Sequence, residues 1–397
     1  MNFPLHPSQR SKIAPFMAMD VLRDAKALER AGRRIIHLEL GEPGVAAPQR
    51  VREAAIESLR HGSIGYGEAL GDAPLRSRIA RHYHERYGVD VSPDRVIATT
   101  GSSGAFLLAF IAACDPGARI AVTAPGYPAY ANILSALGLE PVLLDVGRDT
   151  RFAPTAAMLE AAHRDGTLHG ALFMSPANPT GAMIASDELA RICAFCEEAD
   201  IVFISDEIYH GLEYETRAET ALRFSQRALV INSFSKYYAM TGWRLGWLVA
   251  PSELMRPIER LQQSLAICAP TLSQRAALAA FDAGDELEEN RAAYARNRAL
   301  LLDRLPKLGL DNFAPPDGAF YVYVDVSRFT NDSIGFCRRL LHEAGVATTP
   351  GLDFDPRRGA TTLRLSYAGP EADVREGVAR LEAWLAAWSA SRSHGIM

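Results

Sequence analysis

Seven short runs of β-branched and other apolar residues punctuate the middle of the chain. They are VIATT (96–100), RIAVTAP (119–125), PVLLDV (141–146), GALFMSP (170–176), IVFISDE (201–207), LVINSFS (229–235) and RLGWLVA (244–250). Several of the intervening segments carry apolar residues at i, i+3 and i+4, as in ASDELARICAFCEEA (185–199), the period of an amphipathic helix. Strands that are apolar almost throughout, separated by helices, require a mostly parallel sheet covered on both faces. The pattern predicts an α/β fold with a mostly parallel seven-stranded sheet between helices.

The C-terminal part reads differently. A long charged helical stretch spans about 284–305, followed by FYVYVDV (320–326), a helix near 333–344, TTLRLSYA (361–368) and a last helix near 370–390. This predicts a smaller α+β domain over 284–397, which the N-terminal segment 1–45 joins, beside a large domain over 46–283. The tail SASRSHGIM is expected to lack structure. A chain of 397 residues is long enough for two such units and a large buried core.

Charge narrows the function. The net charge is −5 and no basic stripe is present, which argues against nucleic acid as a partner. No apolar run reaches the roughly 18 residues that span a bilayer, and MNFPLHPSQRSK lacks the apolar region of a signal peptide. A cytoplasmic location is expected. The five cysteines are odd in number and scattered, so no disulfide framework is expected. Cys193 and Cys196 form a CxxC without a second pair, inside a helical pattern. Two half-buried helix cysteines explain them better than zinc does.

In open α/β sheets ligands sit beyond the carboxyl ends of strands, and unusual polar groups collect there. TTGSSGA (99–105) follows one strand and opens a helix. Its small residues let a backbone approach an anion at a helix N-terminus, although a plain N-capped turn reads the same way. No GK[ST] follows, so it is not a P-loop, and GSIGYG (62–67) precedes no strand–helix unit. SPANPTG (175–181) presents Asn178 after another strand, as a ligand contact or simply a turn former. SDEIY (205–209) brings Asp206 and Tyr209 to the end of the next. A carboxylate there is costly unless paired, so Asp206 either caps a helix or faces a cationic ligand. Lys236 follows LVINSFS, with Arg244 eight residues later.

One ligand suits all of these groups. Lys236 can form a Schiff base with an aldehyde. Asp206 can hold a pyridinium nitrogen protonated. Tyr209 and Asn178 can hydrogen-bond a phenolate oxygen. Arg244, Ser233 and the amides of Ser102, Ser103 and Gly104 can bind a phosphate. Tyr127, in APGYPAY, can stack on a flat ring. That ligand is pyridoxal 5′-phosphate.

The motifs SFSKYYAMTGWRLG, SPANPTG, SDEIY, APGYPAY and LRLSYA resemble those of fold-type I pyridoxal-phosphate-dependent aminotransferases of class I/II, the aspartate aminotransferase-like branch, over about residues 10–390. The resemblance implies that Lys236 is the Schiff-base lysine and proton shuttle, that Asp206 pairs with the ring nitrogen, and that Tyr209 and Asn178 hold the ring oxygen. It places Tyr127 against the ring, and Ser102, Ser103, Gly104, Ser233 and Arg244 around the phosphate. Family members often carry Lys or Gln in the turn that reads GSSGA here, so this cup would rely on hydroxyls and amides. Arg364, in TLRLSYA, matches the arginine that forks onto the substrate α-carboxylate, a task for a planar bidentate donor. Gly41, in LELGEP, is similar to the glycine near that carboxylate. Tyr66 is similar to the tyrosine that reaches the neighbouring subunit's phosphate, which implies a homodimer with shared active sites. Without the resemblance, Arg364 would read as a surface residue of an alternating strand and Tyr66 as a packing residue.

The implied activity is transfer of an amino group from an L-amino acid to a 2-oxo acid by a ping-pong mechanism. SLAICAPTLSQ (264–274) and SKIAPFMAM (11–19) are apolar where the family lines the pocket, apart from Lys12. They favour neutral or hydrophobic substrates, with aspartate as the alternative. C–S lyases share the fold and the lysine, and motifs do not fix which bond at the α-carbon breaks. A cofactor-sensing transcriptional regulator would need an added helix-turn-helix, and about 35 residues before the first core strand leave it no room.

Overall fold

The computed structural model describes residues 5–393. Each of the seven apolar runs forms a strand: β1 (Val96–Thr99), β2 (Arg119–Ala124), β3 (Glu140–Asp145), β4 (Gly170–Met174), β5 (Val202–Asp206), β6 (Leu229–Ser233) and β7 (Gly246–Val249). They build one sheet in the order β1-β7-β6-β5-β4-β2-β3. All neighbours are parallel except β7, which runs antiparallel to both β1 and β6.

The apolar character of these strands has a direct physical cause. Successive side chains point to opposite faces, and both faces are buried. Ile97, Ile120, Val122, Leu172, Ile204, Ile231 and Leu248 pack into one core cluster. Val96, Ala121, Phe173, Phe203, Val230, Trp247 and Val249 pack into the other. Helices cover both sides. Local chemistry sets their ends: Thr155 accepts a hydrogen bond from the Met158 amide at the start of Ala156–Asp165, and Gly88, at φ 66°, ends Ala73–Tyr87.

In the C-terminal part, β8 (Tyr321–Asp325), β9 (Thr349–Pro350) and β10 (Thr362–Ser366) form an antiparallel sheet in the order β9-β10-β8. It shares the first core cluster through Val322, Val324, Leu363 and Leu365. The N-terminal segment pairs with this part, Ile36 opposite Val346 in a short parallel ladder. The tail SASRSHGIM is not wholly irregular as expected. The last helix, Glu371–Ser393, continues into it, and residues 394–397 lie outside the described residues. Both cysteines of the CxxC are buried in the helix Ser186–Glu198. Among the described residues no helix is long and apolar enough to cross a membrane.

Candidate active site

The carboxyl ends of the parallel strands deliver polar residues to one cavity of about 380 Å³. Tyr127 comes three residues after β2, Asn178 four residues after β4, Asp206 is the last residue of β5, and Lys236 lies three residues past β6. Ser102 and Ser103 reach it from the first turn of the helix Gly101–Ala113, and Arg364 from the middle of β10. Gly41, Tyr209 and Arg244 complete the set expected on its wall.

Asp206 is buried and holds one donor on each oxygen. Its Oδ1 accepts the Ile208 amide at 3.0 Å, and its Oδ2 accepts the hydroxyl of Tyr130 in a short bond. Burial pushes its carboxyl up to about 7, against the opposing pull of those two donors and of the Lys236 charge. Lys236 donates to the Gly41 carbonyl at 2.5 Å. Burial draws its amine down to about 8, with Arg364 and Arg244 adding to the effect and Glu42 and Asp206 opposing it. A cation deprived of water, beside two guanidinium groups, gives up its proton more easily than a solvated lysine does.

Arg364 is buried and oriented from several sides. It donates to Asn178 Oδ1 at 2.9 Å, to Thr349 Oγ1 at 3.2 Å and, in a short bond, to the Glu39 carbonyl. The rings of Tyr321 and Phe354 lie 4.6 and 4.7 Å from its guanidinium carbon. Its buried Nε has no protein partner.

Arg244 takes a left-handed backbone, φ 49°, and lies against Gly101. A Cβ on Gly101 would sit 2.3 Å from Arg244 Nη2, and Gly101 itself has φ +65°. The glycine therefore lets a guanidinium approach the amides of a helix N-terminus. Two donors of that kind converging on one point make an anion cradle.

Three expected members do not line the cavity in this chain. Gly104 lies inside the helix, one residue past the serines that do. The Ser233 hydroxyl is buried and bonds to the Leu245 carbonyl and to Ser235, and it is Ser235 that faces the cavity. Tyr66 lies elsewhere in this chain. It is 84% exposed, in a groove with Thr271 and Arg275.

The sequence reading also passed over several groups. Tyr130 holds Asp206, and its position three residues after Tyr127 on the helix Pro128–Leu137 was the available signal. Tyr321 bonds to Tyr209 hydroxyl to hydroxyl at 2.7 Å and borders Gly41, where an added Cβ would meet its oxygen at 2.3 Å. Nothing in FYVYVDV marks Tyr321 over Tyr323, since both point to one face. Phe16, Ala18, Met19 and Glu39 form a further wall.

The cavity thus gathers an amine of lowered basicity, a buried carboxylate, an anion cradle and a buried guanidinium. Residues 33–381 match the family described as aminotransferase class I and II, and the chain belongs to that family. It is 50% identical over 380 residues to a valine–pyruvate aminotransferase of Mycobacterium tuberculosis, covering 95% of this chain and 97% of that one. It is 37% identical to a (5-formylfuran-3-yl)methyl phosphate transaminase of Methanocaldococcus jannaschii, over 93% of this chain and 96% of that one. A crystal structure of an aminotransferase from Mycobacterium tuberculosis superposes with a TM-score of 0.94 at 49% identity, covering 97% of this chain and all of that one.

Proposed function

We propose that this aminotransferase uses pyridoxal 5′-phosphate, held at Lys236, to move the amino group of a neutral L-amino acid onto a 2-oxo acid by a ping-pong mechanism. The observation that carries the substrate class is the cavity wall. Among the described residues its only lysines and arginines are Lys236, Arg244 and Arg364. The first two face the aldehyde and phosphate, and the third takes the α-carboxylate. No cation of this chain is left for a second carboxylate, while Phe16, Ala18, Met19, Leu40, Phe106 and Ile208 supply apolar surface. The similarity to a valine–pyruvate enzyme supports the same choice.

The bound cofactor supplies an electron sink that acidifies the substrate α-C–H. The chain's residues do the rest. Asp206, fixed by Tyr130 and Ile208, would pair with the ring nitrogen and favour its protonated form. Tyr209 and Asn178 would hydrogen-bond the ring oxygen, and Tyr127 would stack on the ring. Ser102, Ser103, Ser235, Arg244 and the helix N-terminus hold the phosphate. Arg364 grips the α-carboxylate and so fixes the α-carbon near Lys236. Lys236 would hold the aldehyde, and its amine, of lowered basicity, would serve as the base that takes and returns the α-proton.

A homodimer with shared sites completes the proposal. Leu59, Ile64, Tyr66, Leu265 and Ile267 are exposed apolar side chains on neighbouring segments. These segments are tied together by the Thr271 hydroxyl on the Gly65 carbonyl at 2.7 Å. Such a patch favours a protein partner. We also divide the chain into a large domain, 46–283, and a small one, 284–397 joined by 1–45, as the Ile36–Val346 pairing supports.

The test is the absorption spectrum of the protein reconstituted with pyridoxal phosphate, before and after single amino acids with no 2-oxo acid present. The yellow band is expected to bleach with valine or alanine and to persist with aspartate. In Lys236→Ala it is expected to persist with every amino acid. Release of ammonia or sulfide in place of bleaching overturns the proposal.

A further inference from the structure

The helix Met17–Arg30 cannot cap itself. Its N-cap position is Phe16, which makes no side-chain capping bond. The missing acceptor comes from the other end of the chain. Asp353 Oδ1 accepts the Met17 amide at 2.8 Å, and Oδ2 accepts the Ala18 amide at 3.1 Å. One carboxylate thus satisfies two orphan donors of a helix 335 residues away in sequence.

The position of this contact gives it meaning. Phe16, Ala18 and Met19, which flank the two capped amides, are cavity wall. The segment before them is otherwise lightly held. Ala14, Pro15 and Met17 border a void of about 140 Å³, and the polar tether there is Asn132 on the Ala14 carbonyl at 3.2 Å. The turn that carries Asp353 touches two more walls of the same cavity. Its next residue, Phe354, lies 4.7 Å from the Arg364 guanidinium, and the Phe354 carbonyl accepts the Gly126 amide at 3.0 Å, just before Tyr127.

We propose that Asp353 is a positioning residue for amino acid binding: its carboxylate clamps the start of the helix Met17–Arg30 so that Phe16, Ala18 and Met19 close on the substrate side chain against the Arg364 that holds its carboxylate. The inference rests on the amino acid reading of the site. Asp353 touches neither reacting atoms nor cofactor, so it acts through the wall it places. A wall that contacts substrate equally in the ground and transition states sets KM and leaves kcat alone.

The experiment compares the reconstituted wild type with Asp353→Ala and Asp353→Asn, using valine and pyruvate as probes. Asp353→Ala is expected to raise the KM for valine about five- to tenfold with kcat changed less than about twofold. Amide hydrogen exchange should quicken over residues 14–22 and nowhere else, and the cofactor band should stay unchanged. Asp353→Asn keeps the volume and one acceptor oxygen, so it should fall between the two, and it carries the test if the alanine variant folds poorly. Faster exchange at 14–22 with an unaltered KM makes Asp353 a helix cap only and overturns the proposal. Parallel loss of kcat and cofactor also overturns it, because the residue then supports the whole fold. A wild type that transaminates neither valine nor any other amino acid overturns the site reading instead, before any variant is compared.

Discussion

Arg364 and Asn178 are 186 residues apart in the chain and meet at 2.9 Å, guanidinium nitrogen to side-chain oxygen, at the floor of the cavity. With the Glu39 carbonyl and Thr349 on Nη2, the arginine has one orientation, and its Nε stays unpartnered. Arg364→Lys keeps the charge but loses the fork. We expect kcat/KM for the amino donor to fall about 10- to 100-fold, mostly through KM, with cofactor absorbance unchanged. Steady-state kinetics beside the spectrum check this. A lysine variant with wild-type KM removes Arg364 from carboxylate binding.

Gly101 is the position where a single methyl group should damage the anion cradle. The added Cβ meets Arg244 Nη2 at 2.3 Å and φ is +65°. Gly101→Ala must move the guanidinium and strain the backbone, at a cost of about 1–3 kcal/mol. The affinity for pyridoxal phosphate is expected to fall by about tenfold or more. Equilibrium dialysis reads it directly, and unchanged retention would clear both residues of a phosphate role.

How much of this was legible in the sequence follows from what kind of signal each feature leaves. The seven strands announced themselves because burial on both faces forces apolar residues at nearly every position. Asp206 stood out because a carboxylate at a strand end is costly without a partner, Lys236 and Asn178 because they lie just past strand ends, and Arg364 only through the resemblance. Ser233 was expected at the phosphate; its hydroxyl turns to the Leu245 carbonyl of the antiparallel run beside it, and the second serine of SFSK, Ser235, lines the cavity. Asp353 left no signal at all. A cap is recognised by its place before a helix, and this one arrives from 335 residues away. Tyr321 was hidden in the same way, its partner Tyr209 lying 112 residues off.

His37 ties the N-terminal helix to the cavity wall. Its Nδ1 lies 2.7 Å from Glu39 Oε1 and its Nε2 3.0 Å from Glu29 Oε1, on the helix Met17–Arg30. The bond to Glu39, with charge attraction to both carboxylates, lifts the imidazole to about 8 despite partial burial. The folded protein then holds the proton more tightly than the unfolded chain, whose histidine titrates near 6.5. The added stability is present in full below about pH 6.5 and is lost as pH rises through 8, a contribution of about 1 kcal/mol after solvent screening. Urea unfolding at pH 6 and pH 9 should show this difference in the wild type and a smaller one in His37→Gln. Equal differences in the two proteins would exclude the triad as the source.

Tyr130 offers the sharpest test of how the electron-withdrawing end of the site is tuned. Its hydroxyl bonds to Asp206 Oδ2, and this donor favours the ionised carboxylate, in opposition to the larger effect of burial. Tyr130→Phe removes the donor and leaves a buried carboxylate oxygen unpaired. The carboxyl must then titrate higher than its present value of about 7. A carboxylate that protonates more readily can hold a ring nitrogen less firmly, so the acid side of the pH–activity profile moves to higher pH. The aromatic ring keeps its packing against Phe106 and Tyr127, so the fold should survive. We expect the acidic limb to shift upward by about one pH unit and activity at neutral pH to fall about tenfold. The cofactor's absorbance, followed across the same pH range, reports the ring environment independently of turnover. A profile that keeps its shape and only loses height would mean that Tyr130 supports the pocket sterically and does not tune Asp206.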